Sequence, residues 1–202
     1  MRPADDGVSG QSSKARLTES TTFDIRTFVA AQPVMMTALA AVERLALPDC
    51  WVGAGFVRNP VWDALHGYPW SASYTDIDVV YFDPANIDPK YDDVIEAELA
   101  VAIPSAPWSV KNQARMHLQN GDALYRDTAD AVRHWPETCT AIAVRWAGFR
   151  VELLAPFGVD DLLGMIVRPT PAFANKLDIY RARLVRKAWS KSWPLLRERE
   201  VS

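Results

Sequence analysis

Apolar positions along the chain follow two periods, and these periods predict its helices and strands. After Pro33, a residue suited to the first turn of a helix, the run from Val34 to Leu47 carries apolar residues at helical spacing. The segment T-D-I-D-V-V-Y-F-D at 75–83 has the β-branched and aromatic residues of a strand, and C-T-A-I-A-V-R-W-A-G-F-R-V-E-L-L at 139–154 is typical of a hairpin that turns at Ala147 and Gly148. The pattern predicts an α/β domain, with helices packed on a small mixed sheet.

The two ends of the chain differ in polarity from this middle part. Residues 1–20 are polar and rich in serine, so we expect a disordered lead-in there and a single folded domain over 21–202. From Phe173 onward the pattern predicts a C-terminal helix anchored by Trp189 and Trp193.

Charge is distributed unevenly along the chain. The whole sequence has 22 basic and 25 acidic residues, which argues against a protein that binds nucleic acid over most of its surface. Residues 176–199 nevertheless hold eight basic and two acidic residues, a balance of +6 that leaves −9 for the remainder. This segment is either a solvated helix face docked on an acidic body or a surface that contacts the substrate, and we favour the first interpretation.

Two carboxylates stand at the start of the strand at 75–83. Because strand side chains alternate, Asp76 and Asp78 share one face and lie one pleat apart. Like charges so placed raise each other's pKa unless a counter-charge lies between them, and magnesium with its oxygen ligands is a natural counter-charge. Two solvated aspartates at a fraying strand end would give the same D-x-D pattern, so the motif needs further support.

Two further features could belong to the same site. Gly53 and Gly55, in the sequence W-V-G-A-G-F, are typical of a strand followed by a tight turn and a helix, whose free N–H groups favour an anion such as phosphate. Asn59 could cap that helix with Pro60 as its first residue, or the helix could start near Phe56 and contain the proline. If the strand of Glu152 neighbours the aspartate strand, Glu152 is a third carboxylate at the ion site.

Several protein classes are excluded or disfavoured by the sequence. No apolar run reaches the ~20 residues needed to span a bilayer, and the N-terminus has no apolar signal segment, so we expect a cytoplasmic protein. The three histidines and the two cysteines have no metal-ligand spacing, so zinc is not expected. Neither a G-x-S-x-G hydrolase motif nor a P-loop motif occurs.

Six segments together resemble a bacterial nucleotidyltransferase-like family over roughly residues 35–195. They are G-A-G-F-V-R-N, D-I-D-V-V-Y-F-D, W-S-V-K-N-Q-A-R-M-H, W-P-E-T, A-P-F-G-V-D-D-L-L and R-P-T-P. The family belongs to the polymerase β-like nucleotidyltransferase superfamily, so the resemblance implies that fold. The superfamily signature is a Gly-Gly or Gly-Ser turn, an Asp-x-Asp or Asp-x-Glu strand, and a third carboxylate on a later strand. This chain has G-A-G instead, and twenty residues separate Gly55 from Asp76.

The resemblance also implies an activity and its residues. Asp76, Asp78 and Glu152 would bind Mg²⁺, or Mn²⁺ in its place, and a nucleoside monophosphate would pass from a nucleoside triphosphate to an acceptor hydroxyl. The residues expected to contact the nucleotide phosphates are Gly53, Gly55, Arg58, Lys111 and Asn112.

Two alternatives remain open at this point. The chain could be a catalytically inactive module that binds nucleotide or RNA on the same fold, or a protein-interaction partner that uses some of its eight tryptophans. The residues Lys111, Asn112, Gln113, Arg115 and His117 form a polar group that would either line the substrate cleft or make structural hydrogen bonds.

Overall fold

The structure is a computed structural model that describes residues 23–69 and 76–199. The expected lead-in at 1–20 lies outside these residues and stays a prediction. The α-helices in the described ranges are α1 Ile25–Ala30, α2 Pro33–Glu43, α3 Gly55–Leu65, α4 Pro89–Ala102, α5 Met116–Asn120, α6 Thr128–Arg133, α7 Asp160–Leu163 and α8 Leu177–Lys187. The strands there are β1 Trp51–Gly53, β2 Ile77–Tyr81, β3 Trp108–Asn112, β4 Ala143–Trp146, β5 Val151–Leu154, β6 Ile166–Val167 and β7 Arg197–Glu198.

Five strands form one mixed sheet in the order β3-β2-β1-β4-β5. Strands β2 and β3 are parallel, whereas β1 is antiparallel to both β2 and β4, and β4 is antiparallel to β5. The predicted hairpin is thus confirmed as β4 and β5. Strands β6 and β7 make a separate parallel pair that the sequence pattern did not indicate.

The two faces of the five-stranded sheet have different roles. Val52, Val79, Val110 and Val144 point to one face and lie in the main hydrophobic core, where residues of α1, α2, α3 and α4 pack against them. The other face carries Asp78, with a small apolar cluster made by Trp51, Val80 and Ala143. One face therefore packs into most of the core, and the opposite face is available for a functional site.

Local sequence signals mark the starts of three of the helices. Asp88 and Asp127 accept hydrogen bonds from backbone N–H groups of the first turns of α4 and α6, as N-cap residues do, and α2 begins at Pro33. Of the two alternatives for Pro60, the structure shows the proline inside α3. A proline at this interior position cannot donate the backbone hydrogen bond that another residue would make to the carbonyl of Phe56.

The C-terminal segment departs from its predicted form. Phe173 ends a 3₁₀ turn, and α8 starts only at Leu177. Tyr180 is the buried residue of α8, while Ile179 and Val185 stay exposed. The expected tryptophan anchor is present, because the rings of Trp189 and Trp193 both pack edge-on against Trp62, with centroids 5.6 and 5.2 Å away. Among the helices in the described ranges, none is long and apolar enough to cross a membrane.

Candidate active site

Asp78 stands in the middle of the sheet, directly opposite Gly53 of β1. Its side chain is half-buried, whereas Asp76, just before the first residue of β2, is exposed. Asp76 raises the pKa of Asp78, so the two carboxyl groups are near enough to interact. The strand register thus brings the glycine turn and the D-x-D motif together.

The G-A-G turn is built by close packing around Gly53. A Cβ atom at Gly53 would lie 2.8 Å from the carbonyl oxygen of Ile142 and 2.9 Å from the Trp135 ring. Ala54 follows with a φ of 52° and a ψ of −120°, a region that side chains rarely adopt, and its N–H donates to the Ile142 carbonyl at 2.9 Å. Strain at this residue sets the direction in which α3 leaves the sheet.

Helix α3 presents free donors beside this turn. The Ala54 carbonyl accepts hydrogen bonds from Val57 and Arg58, so the N–H groups of Gly55 and Phe56 have no partner within the helix. Such donors at a helix N-terminus favour an anionic ligand.

A cleft of about 260 Å³ opens in front of Asp78. Ala54 is part of its lining, Trp135 and Phe173 supply aromatic surface, and Lys111 and Arg183 supply cations. The whole lining consists of Ala54, Asp78, Val80, Lys111, Gln113, Met116, Asn120, His134, Trp135, Pro136, Thr140, Phe173 and Arg183. An acid between a glycine turn and several cations is therefore accessible from outside.

The electrostatics of Asp78 combine opposing effects. Burial raises the pKa of its carboxyl group above the ordinary value, and the neighbouring Asp76 adds to the rise. The cations Arg58, Lys187 and Arg183 act in the opposite direction. The net result is a carboxylate whose charge is not fully compensated, which would gain from a further cation.

Arg58 is held in the core by aromatic rings. Its guanidinium lies 4.3 Å from the ring centroid of Trp189 and 5.2 Å from that of Trp62, and it donates to the Thr140 hydroxyl at 2.8 Å. The residue is 5% exposed, and burial lowers the pKa of the guanidinium from its ordinary value, although an arginine keeps its proton in proteins. Arg58 thus acts on Asp78 as a fixed positive charge.

Helix α8 brings two further cations that the sequence interpretation missed. Arg183 and Lys187 both act electrostatically on Asp78. Arg183 is fixed by a 2.6 Å ion pair with the fully buried Glu137 and lies 5.7 Å from the centroid of Trp189. The balance of +6 in this part of the sequence is the signal that points to them, and a solvated helix face does not account for their effect on Asp78.

The polar group from Lys111 to His117 divides between the cleft and the interior. Lys111 and Gln113 line the cleft. Asn112 is fully buried. Its side-chain amide donates hydrogen bonds to the carbonyls of Asp83 and Asn86, each at 2.8 Å, and so holds the loop that contains these two residues. Arg115 forms an ion pair with the buried Asp92. The structure therefore does not bring Asn112 into the cleft.

Glu152 is separated from the two aspartates. Its strand β5 is not adjacent to β2, because β1 and β4 lie between them, and three strand spacings amount to about 14 Å. The carboxylate bonds to Arg150 and Arg145, each at 2.7 Å, and these hydrogen bonds lower its pKa. Glu152 does face the same side of the sheet as Asp78, but the structure does not assemble the expected set of three carboxylates.

The two remaining carboxylates, those of Asp76 and Asp78, suit a Mg²⁺ ion that is also bound by the substrate. Asp76 and Asp78 offer two carboxylates, and within the described ranges no cluster of three or more histidine, cysteine or acidic residues occurs. Mg²⁺ commonly binds through one or two carboxylates together with substrate phosphates and water. The uncompensated charge at Asp78 and the phosphate-favouring turn beside it suit that mode.

A mixed sheet of this order, with an aspartate beside a glycine turn, defines a polymerase β-like nucleotidyltransferase fold. The sequence profile of a family described as nucleotidyltransferase matches residues 40–197, and the chain belongs to that family. The resemblance seen in the sequence is thereby confirmed. The comparison with curated proteins finds no match.

Solved structures support the same assignment. An NMR structure described as revealing a CCA-adding enzyme head domain is 34% identical, with a TM-score of 0.79 over 88% of this chain and 95% of that one. The Thermotoga maritima CCA-adding enzyme complexed with tRNA is 15% identical, with a TM-score of 0.57 over 89% of this chain and 43% of that one. A CCA-adding enzyme with CTP is 17% identical, with a TM-score of 0.52 over 84% of this chain and 41% of that one. The last two show the fold alone, and this chain spans less than half of their length.

Proposed function

We propose that this protein is a metal-dependent nucleotidyltransferase that moves a nucleoside monophosphate from a nucleoside triphosphate to an acceptor hydroxyl. The observation that carries the proposal is the register that sets Asp78 opposite Gly53, between the free donors of α3 and three cations. The CTP bound by one relative of this fold makes a nucleoside triphosphate a reasonable donor.

Each residue of the site has a physical task in this reaction. Asp76 and Asp78 would hold Mg²⁺, which when bound neutralises phosphate charge and lowers the pKa of a coordinated hydroxyl. The N–H groups of Gly55 and Phe56 would bind phosphate oxygens at the helix terminus.

The cations around the cleft complete the arrangement. Arg183, Lys187 and Lys111 would balance the negative charge that develops on the departing pyrophosphate. Arg58, buried on its aromatic rings, would keep Asp78 ionised and oriented without having to move. Catalysis by such a site depends on charge and position more than on a proton-transferring residue.

One observation favours a second candidate function. Because Glu152 is engaged by two arginines away from Asp78, Asp78 is the one carboxylate among the described residues that lines the cleft, and Asp76 is the acid that acts on it. A module that binds nucleotide or RNA without turnover would need no more than this.

Transfer of label separates the two candidates. The protein would be incubated with Mg²⁺, α-labelled nucleoside triphosphates, and separate acceptor pools of small RNA, protein and metabolites. We expect label transfer by the wild type and a loss of about 100-fold or more in Asp78→Asn, since removal of a ligand that stabilises transition-state charge costs several kcal/mol. Asp76→Asn should lose activity in the same direction.

Glu152→Gln is the matched control, because it neutralises a carboxylate on the same face of the same sheet. We expect its transfer rate to stay within about twofold of the wild type, a difference below 0.5 kcal/mol. Transfer that survives in the double variant of Asp76 and Asp78 would refute the proposal. Nucleotide binding without transfer to any pool would favour the inactive module.

A further inference from the structure

A second groove lies along α8 and borders the cleft of Asp78. This groove, of about 400 Å³, is lined by Pro136, Phe173, Ile179, Ala182, Arg183 and Arg186. Pro136, Phe173 and Arg183 also line the Asp78 cleft, so the two spaces meet at these three residues. We call the second space the α8 groove. A ligand lying in it would have one end directed at Asp78.

One stripe of α8 forms a wall of this groove. Ile179, Ala182, Arg183 and Arg186 follow the spacing i, i+3, i+4, i+7, which places them on one helix face. Ile179 is 63% exposed. A large exposed apolar side chain that shares a groove with two arginines, an aromatic ring and a proline is a surface that suits a ligand with both apolar and negatively charged parts.

The charges of the groove differ in their availability. Arg183 is already paired with Glu137. Arg186 is exposed, and no ion-pair partner for it occurs in the described part of the chain. Lys187 and Lys191 lie beyond it toward the C-terminus and are also exposed. The groove thus combines an apolar lining with the positive charge of Arg186.

We infer that the α8 groove binds the 3′ end of a single-stranded nucleic acid and that this end is the acceptor of the transfer reaction. A base can stack on Phe173 and lie against Pro136 and Ile179, while Arg186 binds the following phosphate. The terminal hydroxyl then reaches the Asp78 cleft through the junction of the two spaces. This inference rests on the proposed function, since it names the acceptor class for the same site.

Binding can be measured without catalysis. The probe is a 12-nucleotide single-stranded RNA with a 5′ fluorescein, read by fluorescence anisotropy across a salt series, with a DNA of the same sequence and a labelled poly-glutamate peptide of equal charge as the other arms. We expect both nucleic acids to bind at least tenfold more tightly than the peptide, because only bases can stack. A difference between RNA and DNA would identify contacts to the 2′-hydroxyl.

Two substitutions test the two parts of the groove. Arg186→Glu should weaken RNA binding about tenfold and reduce the slope of log K against log salt by about 0.7, the value for one phosphate contact on a single strand. Phe173→Leu keeps apolar volume but removes the ring, and it should weaken binding about tenfold without changing the slope.

Arg181→Glu is the matched control on the same helix. It makes the same charge change, but residue 181 does not line the groove. We expect less than a threefold loss of affinity and an unchanged slope. Equal losses in the variants of Arg181 and Arg186, or equal binding of the peptide and the RNA, would overturn the groove as a nucleic-acid site.

Failure of this inference can be told apart from failure of the proposed function. RNA bound in the α8 groove but never extended, with nucleoside triphosphate and Mg²⁺ present, would overturn its role as acceptor. Transfer to another acceptor, with no RNA binding, would overturn the groove and leave the transferase intact. Asp78→Asn should bind the RNA as the wild type does and fail to extend it.

Discussion

Gly53 and Gly55 look equivalent in the sequence, yet the structure predicts opposite outcomes when each is changed to alanine. At Gly53 the new Cβ would lie 2.8 Å from the Ile142 carbonyl oxygen, 2.9 Å from the Trp135 ring and 3.0 Å from the Ala143 Cβ. The Ile142 oxygen is a main-chain atom and the Ala143 Cβ is fixed to the main chain, so neither can rotate away. Strand β1 would therefore have to move away from its neighbours, and the Trp135 ring would be displaced as well.

The magnitude follows from overpacking. Forcing one methyl group into a filled space costs about 1–3 kcal/mol, whereas the lower chain entropy of unfolded alanine returns only about 0.4–1 kcal/mol. We therefore expect Gly53→Ala to lower the free energy of unfolding by about 1–2 kcal/mol net. At Gly55 the nearest atoms are the flexible ends of Asn59 and Arg58 at 3.4 and 3.6 Å. Gly55→Ala should thus leave stability within about 0.5 kcal/mol of the wild type or slightly above it.

Urea unfolding monitored by circular dichroism measures both variants under one condition. Tryptophan fluorescence adds a local probe, because displacement of Trp135 should shift the emission of Gly53→Ala only. Gly53→Ala should also bind nucleotide more weakly than Gly55→Ala does. If the two variants were equally stable, or if Gly55→Ala were the less stable one, close packing would be refuted as the reason why residue 53 is a glycine.

Two further predictions concern Asp78 and Trp189. The pKa of Asp78 is raised in the folded state, so the ionised carboxylate destabilises the folded protein, and this destabilisation disappears at low pH. Without Mg²⁺, Asp78→Asn should therefore be more stable than the wild type at pH 7 and lose this advantage as the pH falls toward 3.8. Urea unfolding against pH tests this, and an advantage that grew on acidification would contradict it. Trp189→Ala should cost about 3–5 kcal/mol and raise the KM for nucleotide through displaced arginines, while Trp189→Phe should retain much of both. Equal losses in these two variants would exclude ring contacts with Arg58 and Arg183.

The aspartate pair and the glycine turn were accessible to sequence reasoning because their signals are local. Alternation along β2 put Asp78 and Val80 on one face, and the W-V-G-A-G-F pattern indicated strand, turn and helix. Their proximity in space is a long-range fact, since it depends on β1 pairing antiparallel with β2. The resemblance to the family supplied that link before the structure did.

Glu152 shows where such reasoning failed. An acid on a strand among apolar residues looked like a third metal ligand, and the face of the sheet was right. The error lay in strand order, which no local period encodes: β1 and β4 separate the strands, and Arg145 stands directly opposite Glu152 in the hairpin. An ion pair across neighbouring strands accounts for that acid without a metal.

The sequence by itself determined helix α2, the strand of the aspartates, the β4–β5 hairpin, the faces of these strands and the identity of the D-x-D and glycine-turn motifs, because each depends on a period or on residues a few positions apart. Only the tertiary structure decided which strands are neighbours, that Asn112 is buried, and that Arg183 and Lys187 of α8 reach Asp78. These outcomes arise from side chains far apart in the chain, such as Trp62 and Trp189, whose packing directs the C-terminal helix. Long-range packing, which no short window of sequence contains, therefore completes the charge pattern of the site.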